Sequence, residues 1–247
     1  MFAAIENGDV KELAELMRQD PGFDVNMVLD VRGYTFLHYA CEDSQRSPMI
    51  PLLLAHPDID VNVKDTDGYT PFFYACFGYP SCVREMLKDS SVKVNEPDGY
   101  GITPIWCAAI NGSLDIIKWW IASGREMDLG KPGDVRKTDA IGIAKKYVTL
   151  LERFKGDVAQ TRHVMRLEIG WYDGLAAEMF ALVVFVSDGL LQIKDATPSP
   201  AARFFNIARR LPLELQMLLC YRQVGSDKEI IPGKDSEAAF KELARRF

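Results

Sequence analysis

Acid–base, nucleophilic and metal chemistry is built mostly from histidine, cysteine and paired carboxylates, and the spacing of these residues decides what they can do together. The chain has three histidines, His38, His56 and His163, and none stands at ligand spacing from a cysteine or another histidine. Asp65 and Asp67 offer alternate carboxylates as a calcium loop would, but the glutamate and spacing of an EF-hand are absent, so they read as turn residues. Glu168, Asp173, Glu178 and Asp188 are spaced like solvated helix positions. There is no glycine-rich phosphate loop, no Gly-x-Ser-x-Gly and no Cys–His constellation. The expectation is a non-enzymatic protein with no catalytic residues, no metal and no cofactor. An enzyme survives only as a rival reading that needs an unrecognised polar site among the C-terminal helices.

Bulk properties narrow the partners. Five cysteines is an odd count, and Cys41, Cys76 and Cys82 fall where small apolar core residues belong, so a disulfide framework is not expected. Reduced thiols point to an intracellular compartment, cytoplasm or nucleus. A net charge of −6 weighs against nucleic acid or an anionic membrane as the main partner. Met1-Phe2-Ala3-Ala4-Ile5-Glu6 lacks the basic stretch and apolar run of a signal peptide. The longest apolar run, Met179 to Val186, is closed off by Glu178 and Asp188 and is too short to cross a bilayer.

What positions the remaining side chains is repetition. Gly33-Tyr34-Thr35, Gly68-Tyr69-Thr70 and Gly101-Ile102-Thr103 recur at intervals of 35 and 33 residues, and copies close on Asp24-Val25-Asn26, Asp60-Val61-Asn62 and Lys93-Val94-Asn95. Proline follows Thr70 and Thr103, where the first helical turn has no use for an N–H. The glycine ahead of it frees the turn to adopt positive φ. Apolar residues such as Ile50, Leu53 and Leu54 follow at helical spacing. Each unit therefore predicts a turn, a short helix, a second helix and a return loop, and such a unit buries its apolar face only by stacking on its neighbours.

The unit resembles the ankyrin repeat, whose pattern is Asp-x-x-Gly-x-Thr-Pro-Leu-His-x-Ala-Ala, then glycine, an apolar helix and a loop ending in Val-Asn. Thr70-Pro71-Phe72-Phe73-Tyr74-Ala75-Cys76 and Thr103-Pro104-Ile105-Trp106-Cys107-Ala108-Ala109 fit closely, whereas Thr35-Phe36-Leu37-His38 keeps the histidine and loses the proline. The resemblance implies an all-α fold: an ankyrin-repeat solenoid over residues 1–154, then a helical C-terminal domain over 155–247. Within the solenoid it implies a partial cap at 1–29, repeats at 30–64, 65–97 and 98–130, and a degenerate unit at 131–154. His38 is implied to bond backbone of the neighbouring turn. Trp119 and Trp120 read first as core.

The same resemblance implies a scaffold for protein–protein interaction that binds a partner protein or peptide through a concave groove and the turn tips. Tyr34, Tyr39, Glu42, Asp43, Tyr69, Tyr74, Phe77, Ile102, Cys107 and Ile110 map to the groove, and Val31, Arg32, Thr66, Asp67, Gly99 and Tyr100 to the tips. Aromatic rings shown in register at several repeats are costly to leave wet, which favours a covering partner. The alternative is that some rings fold onto adjacent repeats or meet the helical tail.

In that tail, helices are expected from Asp157 to Leu167, Leu175 to Ile193, Pro200 to Arg210 and from Leu211 onward, with a connector from Asp195 to Pro200 and a last helix capped by Ser236. The stretch Leu211-Pro212-Leu213-Glu214-Leu215-Gln216-Met217-Leu218-Leu219 is similar to the opening of an F-box, whose Leu-Pro-x-Glu-Leu helix docks on the Skp adaptor of cullin ubiquitin ligases. This implies a rival function as a ubiquitin-ligase substrate adaptor, with Leu211, Pro212, Leu215 and Leu218 toward the adaptor. The tryptophan-containing end of many F-boxes is missing, and a plain core helix is the other reading.

Overall fold

The computed structural model describes residues 2–20, 22–130, 140–143, 148–192, 200–226, 228 and 230–244. Among them all regular structure is helical, as expected for an ankyrin-repeat chain. The chain divides into two compact units, Met1–Met165 and Arg166–Phe247.

The first unit is a series of helix pairs. It runs α1 (Phe2–Glu6), α2 (Val10–Gln19), α3 (Phe36–Cys41), a 3-10 segment (Ser44–Met49) continuing into α4 (Ile50–Leu54), α5 (Pro71–Ala75), α6 (Pro80–Met86), α7 (Pro104–Ile110) and α8 (Leu114–Ser123). Shorter pieces follow in α9 (Ala140–Ile143), α10 (Val148–Gly156) and α11 (Val158–Glu168). Local chemistry explains the starts. Pro71 and Pro104 open α5 and α7, while the Thr70 and Thr103 hydroxyls accept the N–H groups of Phe73 and Trp106. The second helix of the repeat at 30–64 begins as 3-10 because Pro48 and Pro51 fall in its first turns and cannot donate.

Stacking is held by a recurring asparagine clamp. Asn26 Nδ2 donates to the Asp58 carbonyl (2.7 Å) and its Oδ1 accepts the Asp60 N–H (2.8 Å). Asn62 does the same to Ser91 (2.9 Å) and Lys93 (2.7 Å), and Asn95 to Glu126 (3.4 Å) and Asp128 (3.0 Å). The valines beside them, Val25, Val61 and Val94, are buried. The Val-Asn closings are thus inter-repeat rungs. The turn tips bond to one another as well: the Thr66 N–H donates to the Arg32 carbonyl (2.9 Å) and the Gly99 N–H to the Asp67 carbonyl (3.0 Å).

Trp120 is fully buried against Phe72 (centroids 5.1 Å), its indole N–H donating to the Glu126 carbonyl at 3.0 Å, while Trp119 is half-buried below the Arg84 guanidinium. The first is core, as expected; the second is partly outside it.

The second unit packs around α12 (Trp171–Ser187), with α13 (Pro200–Ala208), α14 (Leu213–Gln223) and α15 (Gly233–Ala244). Ala176, Phe180, Val183, Cys220, Tyr221 and Ile231 form its core. Ser236 lies inside α15, its hydroxyl donating to the Gly233 carbonyl (3.0 Å), so it is not the cap that the sequence suggests. The boundary between the units falls within α11, later than the point where the 33-residue period is lost. The connector from Asp195 lies outside the described residues up to 199, as does most of the degenerate unit at 131–154 up to 147. Among the described residues no single helix is long and apolar enough to cross a membrane, although α11 and α12 taken together would be by length and composition. Much of α12 is buried in the core of its own unit.

Candidate protein-recognition face

Each of the three turns opens on an aspartate that organises everything near it. The Oδ1 atoms of Asp30, Asp65 and Asp98 each accept two backbone N–H groups: Arg32 and Tyr34 (3.0 and 3.1 Å), Asp67 and Tyr69 (3.0 and 2.8 Å), Tyr100 and Ile102 (2.9 and 2.8 Å). This double acceptance holds the turn closed and fixes the residue after the glycine.

The Oδ2 atoms differ. That of Asp30 accepts the Tyr39 hydroxyl (3.0 Å) and Arg32 Nε (2.8 Å), and that of Asp65 accepts the Tyr74 hydroxyl (2.8 Å). The corresponding position in the next repeat is Cys107, which has no hydroxyl to give. Asp98, 5% exposed, keeps a buried Oδ2 with no hydrogen-bond partner.

The rings follow from these anchors. Tyr34 is wedged between His38, Tyr39 and Tyr74, with centroids at 5.4, 5.4 and 5.0 Å. Tyr34, Tyr39 and Tyr74 are 3%, 8% and 9% exposed and Cys107 is 4% exposed. The expectation that these four line an open groove is therefore corrected. Asp30 and Asp65 hold the Tyr39 and Tyr74 phenols inward, and Tyr34 and Tyr74 of successive repeats cover each other. Of the other expected positions, Arg32, Asp67, Phe77 and Tyr100 are exposed, and Tyr69 and Ile102 are half-buried. The exposed surface also includes Ile110, in register with Phe77 one repeat later, and the neighbouring Leu114. Ile110 was an expected groove position, and the nine-residue Asp–Tyr spacing, broken at Asp98 and Cys107, was the signal for the orphan carboxylate.

Tyr69 gathers this surface at the step between the repeats at 65–97 and 98–130. Its ring meets Phe73, Tyr74 and Phe77 at 4.8, 5.4 and 5.8 Å. Burial, and after it the charge of Asp98, raises its phenol above the ordinary range, with Asp67 and Tyr100 also contributing. Phe77 is tied to the following repeat by Asn111 Nδ2, which donates to its carbonyl at 3.3 Å. At the other end, the Arg32 guanidinium lies 3.8 Å from the Tyr34 ring centroid. Burial alone would raise the Asp30 carboxyl, but bonds from Arg32, Tyr34 and Tyr39 hold it below its ordinary range.

His38 is buried. Its Nδ1 accepts the Thr35 N–H (3.2 Å), which leaves Nε2 as the protonated nitrogen facing the Tyr69 carbonyl (3.2 Å). That is the structural role the resemblance implied. Burial lowers its pKa. Burial likewise pushes the Cys82, Cys107 and Cys220 thiols up to about 12, so none is a ready nucleophile at neutral pH. Among the described residues no three His, Cys, Asp or Glu side chains converge. Asp173, one of the acids weighed for catalysis, accepts bonds from the Tyr221 hydroxyl (2.9 Å) and Lys228 Nζ (2.6 Å). In the tail, Pro212 and Leu215 are exposed and Leu211 and Leu218 are half-buried, whereas Gln216 and Cys220 of α14 are buried.

Residues 1–98 and 49–130 match a family model for ankyrin repeats, in three copies. The chain is similar to human SMC5-SMC6 complex localization factor protein 1, 39% identical over 101 residues, covering 38% of this chain and 9% of that protein. It is similar to human Rabankyrin-5, 33% identical over 102 residues, 41% of this chain and 9% of that protein. It is also similar to the ankyrin repeat protein OPG189 of Variola virus, 24% identical over 183 residues, 73% of this chain and 31% of that protein. The match thus spans less than a tenth of the length of the two human proteins.

Proposed function

The chain belongs to the ankyrin-repeat family, and from that premise we propose that it is a non-enzymatic recognition module that binds a partner protein or peptide on the turn tips and first-helix ends of the repeats at 30–130. Ankyrin repeats generally mediate protein–protein interaction, and the face is narrower here than the family pattern implies. The observation that carries the reading is the apolar surface left exposed after the tyrosines are internally bonded: Tyr100 at 73%, Ile110 at 50% and Phe77 at 41%. Large aromatic and aliphatic groups with half-buried Tyr69 and Ile102 beside them have the composition of an interface centre. Exposed Arg32 and Asp67 at neighbouring tips supply polar contacts at its edge. Partners of this kind would be met in the cytoplasm or nucleus.

The test compares affinity capture by the wild-type chain and by Phe77→Ala/Tyr100→Ala, with mass spectrometry of what is retained and a thermal melt of both. Proteins retained by the wild type and lost by the variant at unchanged melting temperature support the reading. Identical captured sets end it.

A second reading rests on α14, where Leu213 and Leu215 stay 53% and 46% exposed just after Pro212. An apolar helix start of this kind suits docking on a ubiquitin-ligase adaptor. Retention of a Skp adaptor by the full chain, and its loss in Leu215→Glu, would favour this reading; no retention would leave those leucines as surface.

A further inference from the structure

We infer that the corner of Asp98 and Cys107 is a receptor for an arginine side chain of the partner protein, the guanidinium supplying the donor that this repeat lacks. The inference rests on the recognition reading above and deepens it. Three repeats build the same corner, and two of them show what it takes. In the first, Asp30 Oδ2 accepts both a guanidinium, Arg32 Nε at 2.8 Å, and a phenol, Tyr39 at 3.0 Å. In the second, Asp65 Oδ2 accepts the Tyr74 phenol at 2.8 Å. In the third, the position of Arg32 is Tyr100, the position of Tyr39 is Cys107, and Oδ2 of Asp98 has neither donor.

A buried carboxylate oxygen without a donor is costly to the free chain, and a partner that satisfies it recovers that cost on binding. The chain's own Arg32 shows the mode: its guanidinium stacks 3.8 Å from the Tyr34 ring centroid while its Nε bonds the aspartate. At the Asp98 corner the position of Tyr34 is taken by Ile102, and the aromatic surfaces at hand are Tyr69 of the preceding repeat, whose phenol feels the charge of Asp98, and Tyr100 of the same turn. Tyr100 is 73% exposed and so is free to cover a guest. Asp67, exposed beside Tyr69, adds a second negative charge. Arginine fits better than lysine because its planar fork stacks and bonds at once and is more weakly hydrated.

The experiment uses the full chain, labelled with nitrogen-15, and three pentapeptide probes: acetyl-Gly-Leu-Arg-Leu-Gly-amide and its lysine and citrulline counterparts. The expected result is saturable shift of the Tyr100 and Ile102 amides, whose N–H groups bond Asp98 Oδ1, with the arginine peptide. The citrulline peptide, lacking the charge, should bind at least fivefold more weakly, and the lysine peptide should fall between. Cys107→Tyr places a phenol nine residues after Asp98, as in the two preceding repeats, and should raise the melting temperature while abolishing the arginine-dependent shifts. If that variant does not fold, Asp98→Asn keeps a carbonyl for the two turn amides, removes the Oδ2 acceptor, and should abolish the same shifts. Equal binding of arginine and citrulline peptides, or unchanged arginine binding in the folded variant, would overturn the inference. Should this happen while Phe77→Ala/Tyr100→Ala still loses captured partners, the recognition face stands without an arginine pocket. Failure of both experiments removes the face as well.

Discussion

Single residues here serve the stack before they serve a visitor, and Tyr74 shows it best. Its ring is covered by Tyr34 and its hydroxyl bonds Asp65, itself 8% exposed. Tyr74→Phe removes the donor and leaves a buried carboxylate oxygen unpaired, which should cost about 1–3 kcal/mol in urea denaturation. Tyr74→Ala should cost about 3–5 kcal/mol, because a cavity is added to that loss. Loss of partner binding at unchanged stability would return Tyr74 to the recognition face. His38 makes the pH prediction. Burial depresses its folded pKa, so the unfolded chain takes up a proton more readily. The stability it contributes is fully present above the ordinary histidine value of about 6.5 and is lost as pH falls from there toward the lower folded value. The melting temperature of the wild type should fall between pH 7.5 and 5.5, whereas His38→Gln, lower at pH 7.5, should change less over that window. Parallel curves would show that other groups carry the dependence.

At the scale of elements, the turn tips decide how closely repeats approach. Gly68 has φ 83°, and a Cβ placed there would lie 2.5 Å from the Gly99 nitrogen, backbone that cannot swing aside. Gly101 has φ 80°, but a Cβ there meets nothing within 4 Å. Gly101→Ala should therefore show only the left-handed strain of about 1–2 kcal/mol, and Gly68→Ala distinctly more. Equal losses in chemical denaturation would mean that the Gly68–Gly99 approach is not tight in solution. These elements were legible because repeats state each rule more than once: Thr-Pro starts, positive-φ glycines and Val-Asn closings each recur at a fixed interval. The 3-10 start at Ser44–Met49 was less so, since proline marks a break without saying what replaces the α-helix. Exposure was legible at the tips and illegible at the tyrosines behind them. Motif position places a tyrosine on the face, but the Asp–Tyr bonds and the packing of rings from adjacent repeats decide whether it is wet.

The molecule as a whole joins two kinds of cooperativity. In the repeats, each unit leans on its neighbours through the asparagine clamps and tip bonds, so a local loss spreads along the array. The residues from Arg166 onward instead close around one helix, with Phe180 in a core that includes Ala208, Cys220, Tyr221 and Ile231. Among the described residues that apolar cluster is drawn from the second unit, and the two units are expected to open separately. Phe180→Ala should cost the second unit about 3–5 kcal/mol. Hydrogen exchange read by mass spectrometry should then show faster exchange in α12, α14 and α15, with α3, α5 and α7 unchanged. If protection fell equally in both sets, the two units would be one cooperative body. A partner on the repeat tips would then stabilise the C-terminal helices in the same degree, by mass action on a shared unfolding equilibrium. With separate units, the same partner should raise protection in α3 to α8 alone.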